Sequence, residues 1–264
     1  MDKKNNLTLR KSYNEFCWDV EKVFLDVNIL DKNVVSTINL EVKKKQSTKN
    51  YQFKLNGEHL KLISIYIDDK KLSKDKYFCN NKHLIINKVP KKFNLKIKSV
   101  INPSTNTSLE GLYLSNDMIC TQCEPEGFRK IAFFPDRPDV MSVFKVRIEG
   151  NLKFKYLLSN GNLIEEGKLD NNRHFAVWHD PFPKPSYLFA LVAGDLEMVE
   201  DNFITKSGKN VTLKIYVEKG NSHLVKYAMK SLQKAMKWDE DVYNLEYDLD
   251  LFQIVAVSHF NMGA

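Results

Sequence analysis

Residues 34–42, with the sequence VVSTINLEV, alternate apolar and polar side chains. A period of two places the apolar side chains on one face of an extended chain, so this stretch predicts a half-buried β-strand. Further short strand-like runs occur through the first two thirds of the chain, at residues 23–30, 51–55, 62–67, 84–86, 93–100, 144–148, 152–157 and 187–192. Many short strands with turn residues between several of them predict an antiparallel β-sandwich.

The pattern changes after Asp195. Residues 212–217 predict one more strand, and Ser222 is a suitable N-cap for a helix that continues to about Trp238. The predicted apolar face of this helix consists of Leu224, Tyr227, Ala228, Leu232, Ala235 and Met236. Residues 251–257 are almost continuously apolar and predict a strand covered on both faces.

These patterns predict a mainly β fold with two parts. We expect a first domain of antiparallel strands over residues 1–196 and a second unit of strands and helix over residues 197–264.

The composition excludes several classes of protein. The 264 residues carry a net charge of +7, but lysines that are spread over the chain account for most of it. A nucleic-acid surface would favour arginine beside aromatic residues in a localised stripe, so we expect no nucleic-acid partner. No apolar run is long enough to span a membrane, and the N-terminus has no signal-peptide pattern. We therefore expect a cytoplasmic protein whose four cysteines form no disulfides.

The stretch richest in chemistry is CTQCEPEGFR, residues 120–129. Its two cysteines could bind zinc, but the chain has no second C-x-x-C pair, and a structural zinc site needs four ligands. A redox pair would open a helix in a βαβ unit, which the β-rich context does not favour. Two further interpretations remain open. Cys120 and Cys123 could be packing residues of a surface loop, or Gln122 and Glu124 could bind a cationic ligand such as a free amine.

Other catalytic motifs are missing from these 264 residues. The six histidines include no H-E-x-x-H pair, and no phosphate-binding glycine loop or nucleophile elbow occurs. We treat His259, which follows an apolar strand, as a structural residue. The residues alone therefore predict a β-rich protein with one candidate ligand loop and no complete active site.

Longer blocks resemble a known family. DMICTQCEPEGFRKIAFFPDRPDVMSVFKV (residues 117–146), WHDPFPKPSYLFALVAGDL (178–196), AMKWDEDVYNLEYDLD (235–250) and the terminal FNMGA (260–264) are similar, in this order, to segments of bacterial-type aminopeptidase N, a zinc metalloaminopeptidase. The resemblance implies a saddle-like β domain that is followed by the opening α+β part of a thermolysin-like catalytic domain. It covers nearly the whole chain and is weakest over the first hundred residues.

The same resemblance implies roles for individual residues. Gln122 and Glu124 match positions that reach the active site, where the glutamate holds the free α-amine of the substrate. Gly263 and Ala264 match the start of a strand that lies along the peptide, and Met262 matches a residue that lines the pocket for the first side chain. The implied partners are peptides with a free N-terminus and the remainder of the catalytic domain.

In this family the zinc ligands and the general base lie beyond the position of Ala264. We therefore expect no catalytic residue and no metal ligand in this chain, zinc as the cofactor of the full-length family enzyme only, and no aminopeptidase activity from the chain alone. A non-catalytic module that binds peptide N-termini, a decayed gene product and a bare scaffold domain remain as alternatives.

Overall fold

The computed structural model describes residues 9–45 and 51–260. In chain order the strands are β1 (Trp18–Ile29), β2 (Val34–Lys44), β3 (Phe53–Asn56), β4 (Lys61–Ile67), β5 (Lys70–Lys71), β6 (Tyr77–Cys79), β7 (His83–Ile86), β8 (Lys92–Ile101), β9 (Gly111–Ser115), β10 (Met118–Gln122), β11 (Ser142–Asn151), β12 (Tyr156–Ser159), β13 (Asn162–Leu169), β14 (Arg173–Lys184), β15 (Leu191–Gly194), β16 (Glu197–Ile204), β17 (Asn210–Val217) and β18 (Leu251–Val255).

One α-helix, α1 (Lys226–Tyr243), and several single 3-10 turns complete the described elements. The turns are Arg10–Ser12, Lys74–Lys76, Pro103–Thr105, Phe128–Lys130, Ser186–Leu188 and Ser222–Leu224. No helix among the described residues is long and apolar enough to cross a membrane.

The largest sheet has eight strands in the order β13-β14-β11-β1-β2-β8-β4-β5. Its register aligns apolar side chains across neighbouring strands, and one such row is Val146, Leu25, Ile38, Ile97 and Ile65. All five side chains are buried, as the alternating pattern of residues 34–42 predicts for one face of a strand. Of the pairings in this sheet, only β1 with β11 is parallel.

Two smaller sheets pack against the same core. Their strand orders are β12-β15-β10-β9 and β3-β7-β6. Buried residues of all three sheets belong to one apolar cluster, in which the rings of Trp18, Phe53 and Phe93 meet edge to face at 5.6–5.8 Å. The predicted mainly β, antiparallel architecture is confirmed.

The second unit is a sheet in the order β16-β17-β18 with α1 packed on it. The helix connects β17 to β18, and these two strands are parallel, as in a β-α-β crossover. Met229, Leu232 and Met236 of α1 pack on a small core that includes Leu213 and Ile215. This unit begins at Glu197, the position at which the sequence predicts a domain boundary.

The predicted apolar face of the helix is partly wrong. Leu224 and Tyr227 are 65% and 82% exposed, whereas Met229, absent from the predicted face, is buried. The helix also begins later than predicted, at Lys226, because Ser222–Leu224 forms a separate 3-10 turn. The stripe that packs on the small core is Met229, Leu232 and Met236, at the spacing i, i+3 and i+7, and the predicted residues Tyr227, Ala228 and Ala235 lie outside it.

Strand β18 joins the two units. Leu251 and Val255 pack against the large core, and Phe252 and Ile254 pack against the small one. Both faces of this strand make apolar contacts, as predicted, but the strand ends at Val255 rather than at residue 257, and its side chains are only half-buried because it lies at the edge of its sheet. The division of the chain into two domains at residues 196 and 197 stays a prediction.

Several strands differ from the prediction. The run at 152–157 becomes a strand only at Tyr156, because the Asn151 side chain accepts the backbone N–H of Lys153 and forms a turn. The run at 187–192 becomes a strand only at Leu191, because Ser186–Leu188 forms a 3-10 turn that is closed by backbone hydrogen bonds. The apolar pattern does not predict strands β5, β6, β9, β10, β13, β14 and β16.

Candidate functional site

The candidate ligand loop begins where strand β10 ends, at Gln122. The Gln122 side chain is 4% exposed, and its Nε2 donates a hydrogen bond of 2.8 Å to the main-chain oxygen of Glu124. This bond folds the chain back immediately after the strand and fixes the backbone of Glu124. The orientation of Glu124 is therefore set by a buried side chain.

The Glu124 side chain is half-buried. Among the described residues, no lysine or arginine forms an ion pair with its carboxylate, although Arg129 pairs with Glu126 and Asp136 in the same turn. A partly desolvated carboxylate binds a cation strongly, since charge-assisted hydrogen bonds are about twice as strong as neutral ones. This carboxylate is suited to an ammonium or guanidinium ligand.

Gly127 makes the turn after Glu124 possible. Its N–H donates to the Cys123 oxygen at 2.8 Å, which closes a tight turn around the cis Glu124–Pro125 bond. A Cβ atom on Gly127 would collide with the Gln122 oxygen and lie 2.8 Å from the Cα of Cys123. Only glycine therefore fits this position.

The side chain of Phe128, the residue after Gly127, anchors the loop in the core. Its side chain is fully buried, and its ring meets those of Phe134, Phe144 and Phe189 at 5.2, 5.9 and 5.1 Å in edge-to-face contacts. Such aromatic contacts fix both the depth and the direction of a side chain. The turn that carries Glu124 is therefore attached to the rigid interior of the β domain.

Arg129 and Asp136 hold the far end of the turn. The Oδ2 atom of Asp136 accepts the backbone N–H of Arg129 at 3.1 Å and the Nε–H of its guanidinium at 3.0 Å. The Oδ1 atom of Asp136 accepts the Ser186 hydroxyl at 2.6 Å. Each carboxylate oxygen of this buried aspartate is thus hydrogen-bonded, which is the condition for a stable buried charge.

The two cysteines of the loop are packing residues. Cys120 and Cys123 are buried free thiols, and burial raises the pKa of Cys120 to about 11 and that of Cys123 well above its usual value. Both thiols are therefore protonated at neutral pH and are poor nucleophiles. The described residues include no group of three or more His, Cys, Asp or Glu that could hold a metal ion, so they do not fit a zinc site.

A contact from the second unit reaches the same small sheet. Tyr113 of β9 donates its hydroxyl to the His259 oxygen at 3.0 Å, and Ser115 accepts the His259 N–H at 3.3 Å. Strand β9 is the neighbour of β10, and Gly111 of β9 pairs with Gln122. His259 precedes Met262, Gly263 and Ala264, which lie outside the described residues.

Sequence reasoning identified the loop but not the residues that support it. Arg129 and Asp136 stand inside the block at 117–146, and their pairing depends on a fold-back of the chain that no periodicity reveals. Tyr113, Ser115 and His259 are brought together over 144–146 residues of sequence. No local signal predicts a contact at that separation.

Comparison with known proteins places this geometry in a family. Residues 10–188 match the model of the Peptidase M1 N-terminal domain. The chain is 55% identical to the aminopeptidase N of Caulobacter vibrioides over 82% of its own length. It is 49% identical to the aminopeptidase N of Escherichia coli over 88% of its length, and 45% identical to that of Haemophilus influenzae over 97%. It spans only 25%, 26% and 30% of the length of these three relatives.

Solved structures share the fold. An aminopeptidase A of Legionella pneumophila in complex with aspartic acid superposes with a TM-score of 0.92, at 33% identity, over 96% of this chain and 30% of the other. An M1 zinc metallopeptidase of Deinococcus radiodurans, bound to a Tyr-Ser-Ala substrate, shares the fold with a TM-score of 0.76 at 13% identity, over 90% of this chain and 56% of the other. The chain belongs to the peptidase M1 family, and residues 10–188 are its match to the N-terminal domain of that family.

Proposed function

We propose that this chain supplies the amine-binding part of an M1 aminopeptidase. In this proposal Glu124 binds the free α-ammonium group of a peptide, and Gln122 orients Glu124 and contributes to the same site. The observation that carries the proposal is the Glu124 carboxylate, which is held on a rigid turn and forms no ion pair with a described lysine or arginine. The related aminopeptidase A structure contains bound aspartic acid, and this supports the proposal that the ligand carries an α-amino group.

The chemistry explains how such a site selects an N-terminus. A carboxylate in a partly desolvated position stabilises an ammonium but offers nothing to an acetylated amine, which is neutral and bulkier. Because the carboxylate is fixed, a peptide can be bound only with its first residue next to it. Binding of this kind supplies positioning, which is the contribution of substrate-orienting residues to catalysis.

We propose further that Gly263 and Ala264 pair with the peptide backbone and that Met262 lines the pocket for its first side chain. Small residues permit close approach of two backbones, and a thioether adapts to side chains of different shape. The contacts of His259 with Tyr113 and Ser115 support this part, because they bring the chain to the strand beside β10 three residues before Met262.

Zinc belongs to the proposed function through the family, which includes an M1 zinc metallopeptidase among the structural neighbours. In the full-length enzyme, zinc would polarise the peptide carbonyl and activate water. The described residues offer no cluster for it, and these 264 residues contain no H-E-x-x-H motif. We assign no step of hydrolysis to this chain, and its protein partner in the proposal is the remainder of the catalytic domain.

A titration tests the amine site. The 264-residue chain is titrated with Ala-Ala-Ala-amide and with its N-acetylated form, and binding is followed by NMR. We expect binding of the free amine only, and a loss of about tenfold or more in affinity for Glu124→Gln, since a hydrogen bond to a charged group contributes about 1.5–3 kcal/mol. Equal binding of the acetylated peptide would contradict the proposal.

Glu126→Gln is the matched control. It removes one negative charge from the same turn, but the Glu126 side chain is 66% exposed and its ion pair with Arg129 contributes little. An equal loss of affinity in both variants would assign the effect to net charge rather than to Glu124. Hydrolysis of an aminoacyl-p-nitroanilide by the chain alone, at a chelator-sensitive rate, would contradict the assignment of the catalytic step to residues outside this chain.

A further inference from the structure

Helix α1 has a mainly apolar stripe on the side that faces away from its own sheet. The members of this outer stripe are all exposed, and they are Tyr227, Ala228, Ser231, Ala235, Trp238 and Val242. We propose that the outer stripe is the docking surface for the part of an M1 peptidase that the relatives contain in addition to the region matched here. The inference rests on the proposed function, in which the remainder of a catalytic domain is the protein partner, and it names the surface at which that partner binds.

The outer stripe lies opposite the face of α1 that is already buried. Trp238 follows Met229 by nine residues. At about 3.6 residues per turn this is about two and a half turns, so the two side chains point to opposite sides of the helix. Met229 is 4% exposed and packs on the small core, whereas Trp238 is 53% exposed. Helix α1 therefore has two apolar faces, and the described residues cover one of them.

The two faces also explain the partly wrong sequence prediction. The predicted face includes Tyr227, Ala228 and Ala235, which lie on the outer stripe. It joins them to Leu232 and Met236, which pack on the small core. A surface helix that meets only water opposite its core has polar and charged residues there. A contiguous exposed apolar area instead marks an interaction site.

Aromatic rings enlarge the outer stripe at the C-terminal end of the helix. The rings of Trp238 and Tyr243 meet edge to face at 5.1 Å, and the Tyr243 side chain is 59% exposed. Leu245, just after the helix, is 63% exposed. Aromatic residues are enriched at the centres of protein interfaces, where tryptophan and tyrosine contribute most to binding.

Basic side chains border the outer stripe on one side. Lys226, Lys230 and Lys234 recur every four residues along this margin, and none of the three forms an ion pair with another described residue. A second copy of this chain would have the same lysines and the same net charge of +7, and like charges oppose association. A partner whose apolar contact area is bordered by carboxylates fits this surface better.

The relatives contain enough chain to cover the stripe. Helix α1 lies beyond the match to the N-terminal domain, which ends at residue 188. The aminopeptidase A structure superposes on 96% of this chain, but only 30% of that structure takes part. The aminopeptidase N of Haemophilus influenzae matches 97% of this chain with 30% of its own length. Most of each relative is therefore available to pack on α1.

A chimera tests the docking surface. The region of the Haemophilus influenzae enzyme that matches this chain is replaced by residues 1–264, and hydrolysis of Ala-p-nitroanilide verifies its assembly. Ser231→Cys places a thiol in the middle of the outer stripe with little change in size. Its modification by iodoacetamide is timed by mass spectrometry in the 264-residue chain and in the chimera. We expect it to react at least about tenfold more slowly in the chimera, since a covered thiol reacts only when the cover opens.

Cys79 is the internal reference. Its side chain is exposed on β6 of the first unit, so it should react at the same rate in both proteins. Equal rates at position 231 in the two proteins would overturn the inference. If this chimera does not fold, the matching region of the Escherichia coli enzyme is replaced instead, with the same expectation.

Melting temperatures give a second readout. Trp238→Gln should change that of the 264-residue chain by less than about 1 °C and lower that of the chimera by about 5 °C, because an apolar side chain stabilises a fold only where it is buried. Phe78→Gln is the matched control, since Phe78 is 56% exposed on the first unit, and it should change neither. A loss of about 5 °C for Trp238→Gln in the 264-residue chain would show that the stripe is already packed and would contradict the proposal. So would a dimer of this chain that Trp238→Gln dissociates.

The outcomes distinguish this inference from the proposed amine site. The titration with Ala-Ala-Ala-amide uses the 264-residue chain and the turn after β10, and it does not depend on what covers α1. If Glu124→Gln leaves that affinity unchanged while position 231 is shielded in the chimera, the amine site fails and the docking surface stands. If Glu124→Gln abolishes binding and position 231 reacts equally in both proteins, the docking surface fails and the amine site stands.

Discussion

The Nε of Arg129 lies 3.0 Å from the Oδ2 of Asp136, and this pair closes the turn that carries Glu124. Both side chains are largely buried, at 12% and 2% exposure. We predict that Asp136→Asn lowers the free energy of unfolding by about 3 kcal/mol, since it removes the buried partner of the Arg129 guanidinium and leaves only the more exposed carboxylates of Glu126 and Glu58 beside it. Urea unfolding followed by fluorescence measures this difference.

The control for this prediction is Glu110→Gln. Glu110 also pairs with a basic side chain, that of Lys130 at 2.5 Å, but its own side chain is 50% exposed. The expected loss is therefore at most about 1 kcal/mol. Equal losses in the two variants would mean that burial of the Arg129–Asp136 pair does not decide its contribution.

Gly127 gives a second prediction. Gly127→Ala places a Cβ atom against the Gln122 oxygen and the Cys123 Cα, which are backbone atoms and cannot rotate away. We expect the variant to lose about 1–3 kcal/mol of stability, the usual cost of forced backbone shifts, and to bind the amine more weakly because the turn moves. Urea unfolding and the Ala-Ala-Ala-amide titration measure the two effects.

Gly150→Ala provides the comparison for Gly127. A Cβ atom there would lie 3.2 Å from a terminal carbon of Leu157 and 3.3 Å from the ring of Phe154, both of which are side-chain atoms that can adjust. We expect a smaller loss of stability and unchanged amine binding. A larger effect at Gly150 than at Gly127 would contradict the role of backbone crowding.

Strands β1, β2, β8 and β11 of the large sheet could be predicted because one face of each is buried and the other is not. Residues 34–42 alternate for this reason, and β2 contains them. Strand β10 could not be predicted in this way, since its five residues, Met118 to Gln122, are all buried and include a threonine and a glutamine. A strand that is covered on both faces shows no alternation, so its sequence carries no period of two.

The candidate site also has one part that the sequence predicts and another part that it does not. The loop from Gln122 to Arg129 could be identified from its composition and from its resemblance to a family. Its supports could not, because Asp136 is satisfied partly by Ser186, 50 residues away. Contacts of this kind depend on the packing of sheets and not on local preference.

Stability should depend on pH through Asp139. Burial raises the pKa of this carboxyl, but hydrogen bonds from Arg137 and from the Phe16 N–H outweigh it and bring the value down to about 2. Because the pKa of Asp139 is lower in the folded chain than in the unfolded chain, its charged form stabilises the fold at pH values above the unfolded pKa of about 4. This stabilisation is lost as the pH falls from about 4 to 2. Asp139→Asn should therefore lose about 1–2 kcal/mol at pH 7 and almost nothing at pH 2.

Unfolding curves at several pH values test this dependence. Asp241→Asn is the reference, because Asp241 pairs with Lys237 on the helix surface and both side chains are 57% exposed. That variant should show little change in stability at either pH. A loss for Asp139→Asn that stayed constant from pH 7 to pH 2 would show that its effect does not arise from the charge.

Thiol reactivity tests the packing role of Cys120 and Cys123. Cys79 is exposed, Cys17 is half-buried, and the two loop cysteines are buried. Because the thiolate is the reactive form, and burial raises the pKa of both loop thiols, we expect iodoacetamide to modify Cys79 first, Cys17 more slowly, and the loop pair only after unfolding. Mass spectrometry of timed digests identifies the sites. Cys79→Ser should remove the fast phase, whereas rapid modification of Cys120 or Cys123 in the folded chain would show that the loop opens far enough to expose its core.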